Sequence, residues 1–130
     1  MPVNLDSYLG VHARALQLES RRTELLAANL ANADTPGFKA RDIDFKQALA
    51  IAGNTAAAPG SAAGSADVPA IASLESATQY RVPMAPSLDG NTVDVQLEQA
   101  AFAENNVRYQ ATLTLLNGKL RSLMTAITGQ

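Results

Sequence analysis

Apolar residues recur every seven positions through the last third of the chain. The first row of this repeat consists of Val95, Phe102, Tyr109, Leu116 and Leu123, and a second row, four residues further on, contains Leu113, Leu120 and Ile127. Gln99 and Asn106 occupy the two earlier places of the second row, so the repeat is more polar at its start. Five heptads in one phase predict a coiled-coil helix from about Asp94 to Thr128, about 50 Å long at ~1.5 Å per residue.

A second long helix is predicted at the N-terminal end, from Asp6 to about Ala33. Its heptad positions carry Leu5, Leu9, Leu16, Leu26 and Leu30, with His12, Glu19 and Thr23 as polar interruptions. An adjacent face carries Tyr8, Val11, Ala15, Leu18 and Leu25. A helix with two partial apolar stripes is expected to have more than one neighbour.

This helix is predicted to end at a stiff turn. Pro36 disfavours a helical conformation for the residue before it, so the helix must end by about Asn32 or Ala33. The segment Thr35–Phe38 is typical of a tight turn, with Pro36 at its second position and Gly37 free to adopt a positive φ at its third. Asn29 lies three residues before Asn32 on one helical face, where a buried helix normally carries Leu or Ile. These amides indicate a contact surface.

The middle of the chain has a different composition. Thirteen of the fifteen residues from Ala52 to Ala66 are Ala, Gly, Ser or Pro, which predicts a linker or a mobile loop. Asp44, with Gln47 three residues later, resembles a capping box for a short helix. Beyond the loop, 78–82 is expected to be extended and to end at Pro83.

These patterns predict a mainly α fold in which long N- and C-terminal helices pair as a coiled coil around a loop-rich, partly extended and flexible middle. The expected segments are a helix over 1–33, a turn, extended piece and short helix over 34–51, a flexible segment over 52–77, an extended and turn segment over 78–93, and the coiled-coil helix over 94–130. Asn91, Thr92 or Asp94 is expected to cap the last helix.

Composition excludes several classes of function. A net charge of −2 provides no basic field for nucleic acid or anionic lipid, and no segment is apolar enough to insert into a membrane. The absence of cysteine excludes thiol catalysis and zinc–thiolate sites. His12 has no second ligand, and Asp42 and Asp44 are expected to be a solvated edge and a helix cap. We therefore predict no enzyme activity, no cofactor and no metal site. The N-terminus also lacks the pattern of a secretory signal.

Two segments carry a resemblance to a known family. RRTELLAANLANADTPGFKARDIDFKQAL, from Arg21 to Leu49, resembles the N-terminal motif of the axial proteins of the bacterial flagellum, and Asn91–Ile127 is similar to their C-terminal helix. The continuation ARDIDF after the turn and the pattern AEN-x-x-x-YQ at 103–110 resemble the proximal rod proteins of the basal body. Phe38 stands where tyrosine is common in the family, and Gly118 replaces a residue that favours helix more strongly.

The resemblance implies a structural subunit of the proximal rod, exported by the flagellar type III system without a cleaved signal peptide and located in the basal body. The implied partners are other copies of the chain, other rod proteins and the rod-base adaptor protein next to the export gate and membrane ring. The junction between subunits would be shaped by Ala28, Asn29, Asn32, Thr35, Pro36, Gly37 and Phe38. The coiled coil would be held by Val95, Phe102, Tyr109, Leu113, Leu116, Leu120 and Leu123.

Two alternatives remain open from the sequence. The chain is either another axial rod subunit or, in a different class, a soluble helical adaptor or chaperone that binds coiled-coil partners without polymerising.

Overall fold

The computed structural model describes residues 5–55 and 76–129, and these form three helices and one small sheet. Helix α1 spans Leu5–Ala31, strand β1 Arg41–Ile43, helix α2 Phe45–Thr55, strand β2 Thr78–Tyr80 and helix α3 Val95–Thr128. The predicted mainly α fold with long terminal helices is confirmed. Most of the predicted flexible segment 52–77 lies outside the described residues.

Helices α1 and α3 pack against each other in antiparallel orientation. Three side-chain contacts define this direction, because Asn29 meets Glu98, Thr23 meets Asn105 and Glu19 meets Thr112. Residues nearer the N-terminus of α1 therefore contact residues nearer the C-terminus of α3. The pair places the C-terminal end of α1 beside the N-terminal end of α3.

The ends of α3 follow the predicted boundaries. Asp94 has an extended backbone, and its side chain accepts hydrogen bonds from the backbone N–H groups of Gln96 and Leu97. Of the three predicted capping residues, Asp94 is therefore the one that caps this helix. At the other end Gly129 adopts a left-handed conformation with a φ of 72°, which is a common way to end a helix.

A small apolar core lies on the second face of α1. Leu18 and Leu25 pack there with three residues from the middle of the chain, namely Ile43, Ala48 and Ala77. The partly buried side chains of Phe45 and Leu49 cover this core. Helix α1 thus contacts α3 on one face and β1 and α2 on the other, which confirms the prediction of more than one neighbour.

The core is closed by an antiparallel pair of short strands. Arg41 lies opposite Tyr80, Asp42 opposite Gln79 and Ile43 opposite Thr78. Backbone bonds extend the pairing at both ends, from Arg81 N–H to the Ala40 carbonyl at 2.9 Å and from Asp44 N–H to the Ala77 carbonyl at 3.2 Å. The extended piece predicted over 78–82 is present, with Thr78–Tyr80 as its strand.

Two glycines with positive φ form the junction between α1 and α3. The predicted turn over Thr35–Phe38 is present, with the Phe38 N–H donating to the Thr35 carbonyl at 3.3 Å and Gly37 at a φ of 74°. Gly90 has a φ of 77° and lies against the Gly37 backbone. The Gly37 N–H donates to the Asp89 carbonyl at 2.9 Å, so the two turns are joined directly.

Three matched glycine substitutions test this junction. We expect Gly37→Ala and Gly90→Ala each to lower the free energy of unfolding by about 1–2 kcal/mol, because a Cβ disfavours the left-handed conformation. Gly118→Ala is the control: Gly118 lies inside α3, nothing outside its own helix would meet the new Cβ, and we expect a gain of up to about 1 kcal/mol. Urea unfolding followed by circular dichroism measures all three, and equal effects at the three glycines would contradict this account.

Candidate functional site

Four charged side chains meet where α1, β1, β2 and α3 converge. We call Arg22, Asp42, Arg81 and Glu98 the central ion cluster. Arg22 binds Asp42 through two bonds, from Nε to Oδ1 at 2.8 Å and from Nη2 to Oδ2 at 3.0 Å. Arg81 donates to both acids, to Asp42 Oδ2 at 2.7 Å and to Glu98 Oε1 at 2.5 Å. The cluster contains two cations and two anions, so its formal charges cancel.

Asn29 connects this cluster to the backbone of the sheet. Its amide nitrogen donates to the Arg41 carbonyl at 2.8 Å and to Glu98 Oε2 at 3.1 Å, and its oxygen accepts from the Arg41 N–H at 3.1 Å. Both Asn29 and Glu98 are buried, with 1% and 0% of their surface exposed. Every polar atom of the Asn29 side chain therefore acts within the chain, which explains an amide where an ordinary helix carries Leu.

The carboxyl of Asp42 has a lowered pKa. Burial by itself would raise the pKa, but the hydrogen bonds and charges of Arg22 and Arg81 more than offset this effect. The sequence-based assignment of Asp42 to a solvated edge is therefore wrong, because its two arginine partners come from distant parts of the chain. The assignment of Asp44 to a helix cap is confirmed: its Oδ1 accepts from the Gln47 N–H at 3.0 Å at the start of α2.

The face of α3 that meets α1 carries polar residues at intervals of seven. We call Glu98, Asn105 and Thr112 the polar row. Asn105 Nδ2 donates to the Glu19 carbonyl at 2.7 Å and to Thr23 Oγ1 at 2.9 Å, and Thr112 Oγ1 donates to Glu19 Oε1 at 3.1 Å. Two of the three polar interruptions predicted in the α1 stripe, Glu19 and Thr23, thus lie opposite the polar row and bind it.

Glu19 has a raised pKa. Burial is the largest cause, and the Thr112 hydroxyl and the charge of Arg108 offset only part of it. The folded state therefore holds a proton on Glu19 more tightly than the unfolded chain does, so this carboxyl destabilises the fold above its folded-state pKa and the penalty disappears as the pH falls. Its effect on stability is opposite in sign to that of Asp42.

The predicted seam residues of α3 fall into two groups, one half-buried and one exposed. Phe102, Leu116 and Leu123 are half-buried beside α1. The exposed members are Val95, Tyr109, Leu113 and Leu120. In this single chain both rows therefore contain partly exposed residues, and the role of the whole seam in a coiled coil between subunits remains a prediction.

The predicted junction residues lie around the end of α1. Asn29 is buried and Ala28, Asn32 and Phe38 are half-buried, whereas Thr35, Pro36 and Gly37 are exposed at the turn. Their role in contacts between subunits also remains a prediction.

Sequence reasoning missed the part played by Asn91. Its Nδ2 donates to three backbone carbonyls at the end of α1, those of Asn32 at 3.0 Å, Ala33 at 2.8 Å and Thr35 at 2.9 Å. One amide thus joins the segment before α3 to the turn residues that follow α1.

The part of the chain that the structure describes shows neither a metal site nor a membrane-spanning helix. Within it, no group of three or more His, Asp or Glu side chains is arranged to hold a metal ion. None of its helices combines the length and the apolar character needed to span a bilayer.

Comparison with known proteins agrees with this arrangement. A family model described as flagella basal body rod protein matches residues 9–39, which cover most of α1 and the turn after it. The chain is 52% identical over 127 residues to the flagellar basal body rod protein FlgB of Cereibacter sphaeroides, covering 94% of each chain. It is 42% identical over 137 residues to the protein of that name from Aeromonas hydrophila, covering 100% of this chain and 99% of the relative.

A third relative, flagellar basal body rod protein FlgB of Salmonella typhimurium, is 44% identical over 132 residues and covers 96% of each chain. Each of these matches thus covers almost the whole chain. The chain belongs to the family of flagellar basal body rod proteins.

Substitution of Asp42 tests the central ion cluster. We expect Asp42→Asn to lower the free energy of unfolding at pH 7 by about 2–4 kcal/mol, because it leaves Arg22 and Arg81 without their shared carboxylate in a partly buried site. Asp44→Asn is the matched control, since asparagine is also a good helix cap, and we expect a change within about 0.5 kcal/mol. Urea unfolding of both variants measures the difference.

A comparison of wild type with Asp42→Asn tests how the contribution of Asp42 to stability depends on pH. The folded-state pKa of Asp42 is lowered, so its stabilising contribution is present above about pH 4, the ordinary range of an aspartate, and is lost as the pH falls through the folded-state value. The stability difference between wild type and Asp42→Asn should therefore shrink in acid. Because Glu19 is present in both proteins, its opposite effect largely cancels. A difference that stayed constant down to pH 2 would contradict this assignment.

Proposed function

We propose that this chain is a structural, non-enzymatic subunit of the proximal rod of the bacterial flagellar basal body. Its family membership supports this assignment most directly, because the relatives that it matches over nearly their whole length are named as rod proteins. The location of the second row is the structural observation that supports it. Leu113, Leu120 and Ile127 are 40%, 39% and 82% exposed and lie at heptad spacing on a helix of 34 residues.

An exposed apolar row at heptad spacing can pack against a helix of another subunit. Apolar residues at heptad spacing pack into the holes between side chains on a facing helix, and their exposure in a single chain leaves apolar area to be buried on association. We propose that the occupant is a helix of a second copy of this chain. The row lies next to the first row, of which Phe102, Leu116 and Leu123 are half-buried, so a neighbouring helix would extend the α1–α3 seam. Heterologous contacts of this kind build helical tubes.

The exposed turn after α1 is the second proposed contact. Thr35, Pro36 and Gly37 project at the junction of α1 and α3, where two joined turns fix the backbone. A rigid turn loses little conformational entropy on binding, which favours it as a contact between subunits. Ala28, Asn32 and Phe38 flank this turn at half-buried positions and are proposed to support it.

The remaining partners and the location follow from the family. We propose that the chain contacts the other rod proteins and the rod-base adaptor protein next to the export gate and membrane ring. We further propose that it reaches the basal body through the flagellar type III system and lies in the rod that crosses the periplasm, where it transmits torque.

The competing function is a helical adaptor that binds coiled coils without polymerising. The same exposed second row would serve such a protein. Fractionation separates the two functions, because an adaptor stays in the cytoplasm and a rod subunit purifies with detergent-extracted basal bodies.

Deletion and point substitution test the rod assignment together. We expect a deletion strain to lose motility and rod assembly, and the wild-type gene to restore both. Leu120→Ser should reduce the amount of the chain in purified basal bodies several-fold, because it removes an apolar contact from the second row. Leu115→Ser is the matched control, since Leu115 is an exposed leucine of the same helix that lies outside both rows. A deletion strain that swims normally would refute the rod assignment.

A further inference from the structure

We propose that the polar row is a positioning device that fixes the rotational orientation of α3 and thereby keeps the second row outside the helix pair. Glu98, Asn105 and Thr112 would hold the helix turned away from the orientation that buries most apolar surface. The use of the second row by a neighbouring subunit rests on the proposed function, whereas the orientation itself is a property of the single chain.

The angle between the two orientations follows from helix geometry. Successive residues of an α-helix are about 100° apart, so residues three and four places after a first-row position lie about 60° to one side of it and about 40° to the other. The apolar side of α3 is centred between the first and second rows. The side that faces α1 is centred between the first row and the polar row. The helix is therefore rotated by about 50° from its most apolar orientation.

Polar groups on both helices oppose the rotation that would bury the second row. If α3 turned, Asn29 would lose the Glu98 carboxylate, and the Glu19 carbonyl and Thr23 hydroxyl would lose the Asn105 amide. Asn29 would keep its bonds to the sheet backbone, and the Thr23 hydroxyl would keep its bond to the Glu19 carbonyl, but each would lose the partner that α3 supplies. Loss of hydrogen bonds at a buried contact is unfavourable, so the paired arrangement is retained although it exposes apolar surface.

The hydrogen bonding of the polar row with α1 is also incomplete. Within the described part of the chain, two buried side-chain oxygens have no hydrogen-bond partner, and both lie at this contact: Asn105 Oδ1 and Glu19 Oε2. Replacing incompletely satisfied buried polar groups by apolar groups of similar volume is often neutral or stabilising. The Asn105 contact therefore contributes more to orientation than to stability, as a single buried asparagine does in some coiled coils.

Paired substitutions of similar volume test this inference. Glu19→Leu combined with Thr23→Val removes the α1 side chains that bind the row and leaves an apolar face on α1. Glu24→Leu combined with Ser20→Ala is the control, because it removes a carboxylate and a hydroxyl at exposed positions of the same helix. The chain has no cysteine, so a single introduced thiol reports on one site. The probe is a maleimide that reacts with Leu120→Cys in the second row, and its rate is divided by the rate at Ala111→Cys on the outer face.

We expect the variant with an apolar α1 face to lower this labelling ratio at least threefold relative to the wild-type background, with helical circular dichroism retained, because the second row can then rotate onto that face. The exposed-site control should leave the ratio unchanged. An unchanged ratio in the variant with an apolar α1 face would overturn the inference. A rise in the ratio, or a loss of helical signal, would overturn it too, because the row would then be required for folding and not for orientation.

The outcome is separate from that of the proposed function. If the wild-type chain is absent from purified basal bodies, the rod assignment fails whatever the labelling shows. If the wild-type chain is present and the labelling ratio does not change, the rod assignment stands and only the orientation mechanism is overturned.

Discussion

The contact between Arg81 and Glu98 is the interaction on which the rest of the structure depends. Among the described residues of α3, only Glu98 and Asn105 are buried, so this long helix has no buried apolar side chain to hold it in place. Glu98 is buried completely and is acceptable there because Arg81 and Asn29 bind its two oxygens. A buried carboxylate without such partners would be strongly unfavourable, so the helix, the strand pair and α1 must come together as one unit.

Features read from local patterns were predicted well from sequence. The heptad repeat located α3, Pro36 and Gly37 located the turn, and Asp94 was among the candidates for the cap. The rotational orientation of α3 was not predicted, because hydrophobic periodicity measures one helix at a time and the orientation is set by pairs of polar groups on two helices. One signal was present in the sequence: Glu19 and Thr23 interrupt the first helix, and Asn105 and Thr112 recur seven residues apart in the last.

The charged and amide residues of the site were harder to assign for a related reason. Asp42 was interpreted beside Asp44, its neighbour in sequence, whereas its partners Arg22 and Arg81 are 20 and 39 residues away. Asn91 lies just before α3 and was considered as a cap of that helix, but its amide binds the carbonyls at the end of α1. In both cases the side chain acts on a segment that local reasoning does not bring near it.

The arrangement separates two tasks that most small domains combine. Orientation within the chain is set by hydrogen bonds, several of them between charged side chains, which require short distances and defined directions. Burial of large apolar side chains, the strongest and least directional contribution, is limited in the described residues to the small core beside α1 and to Leu26 of α1, while the second row remains partly exposed. A subunit that buried this row within itself would gain stability as a monomer and lose the surface on which its assembly depends. An alanine-rich chain with few aromatics is suited to this division, since its individual fold requires little apolar area and its neighbours supply the rest.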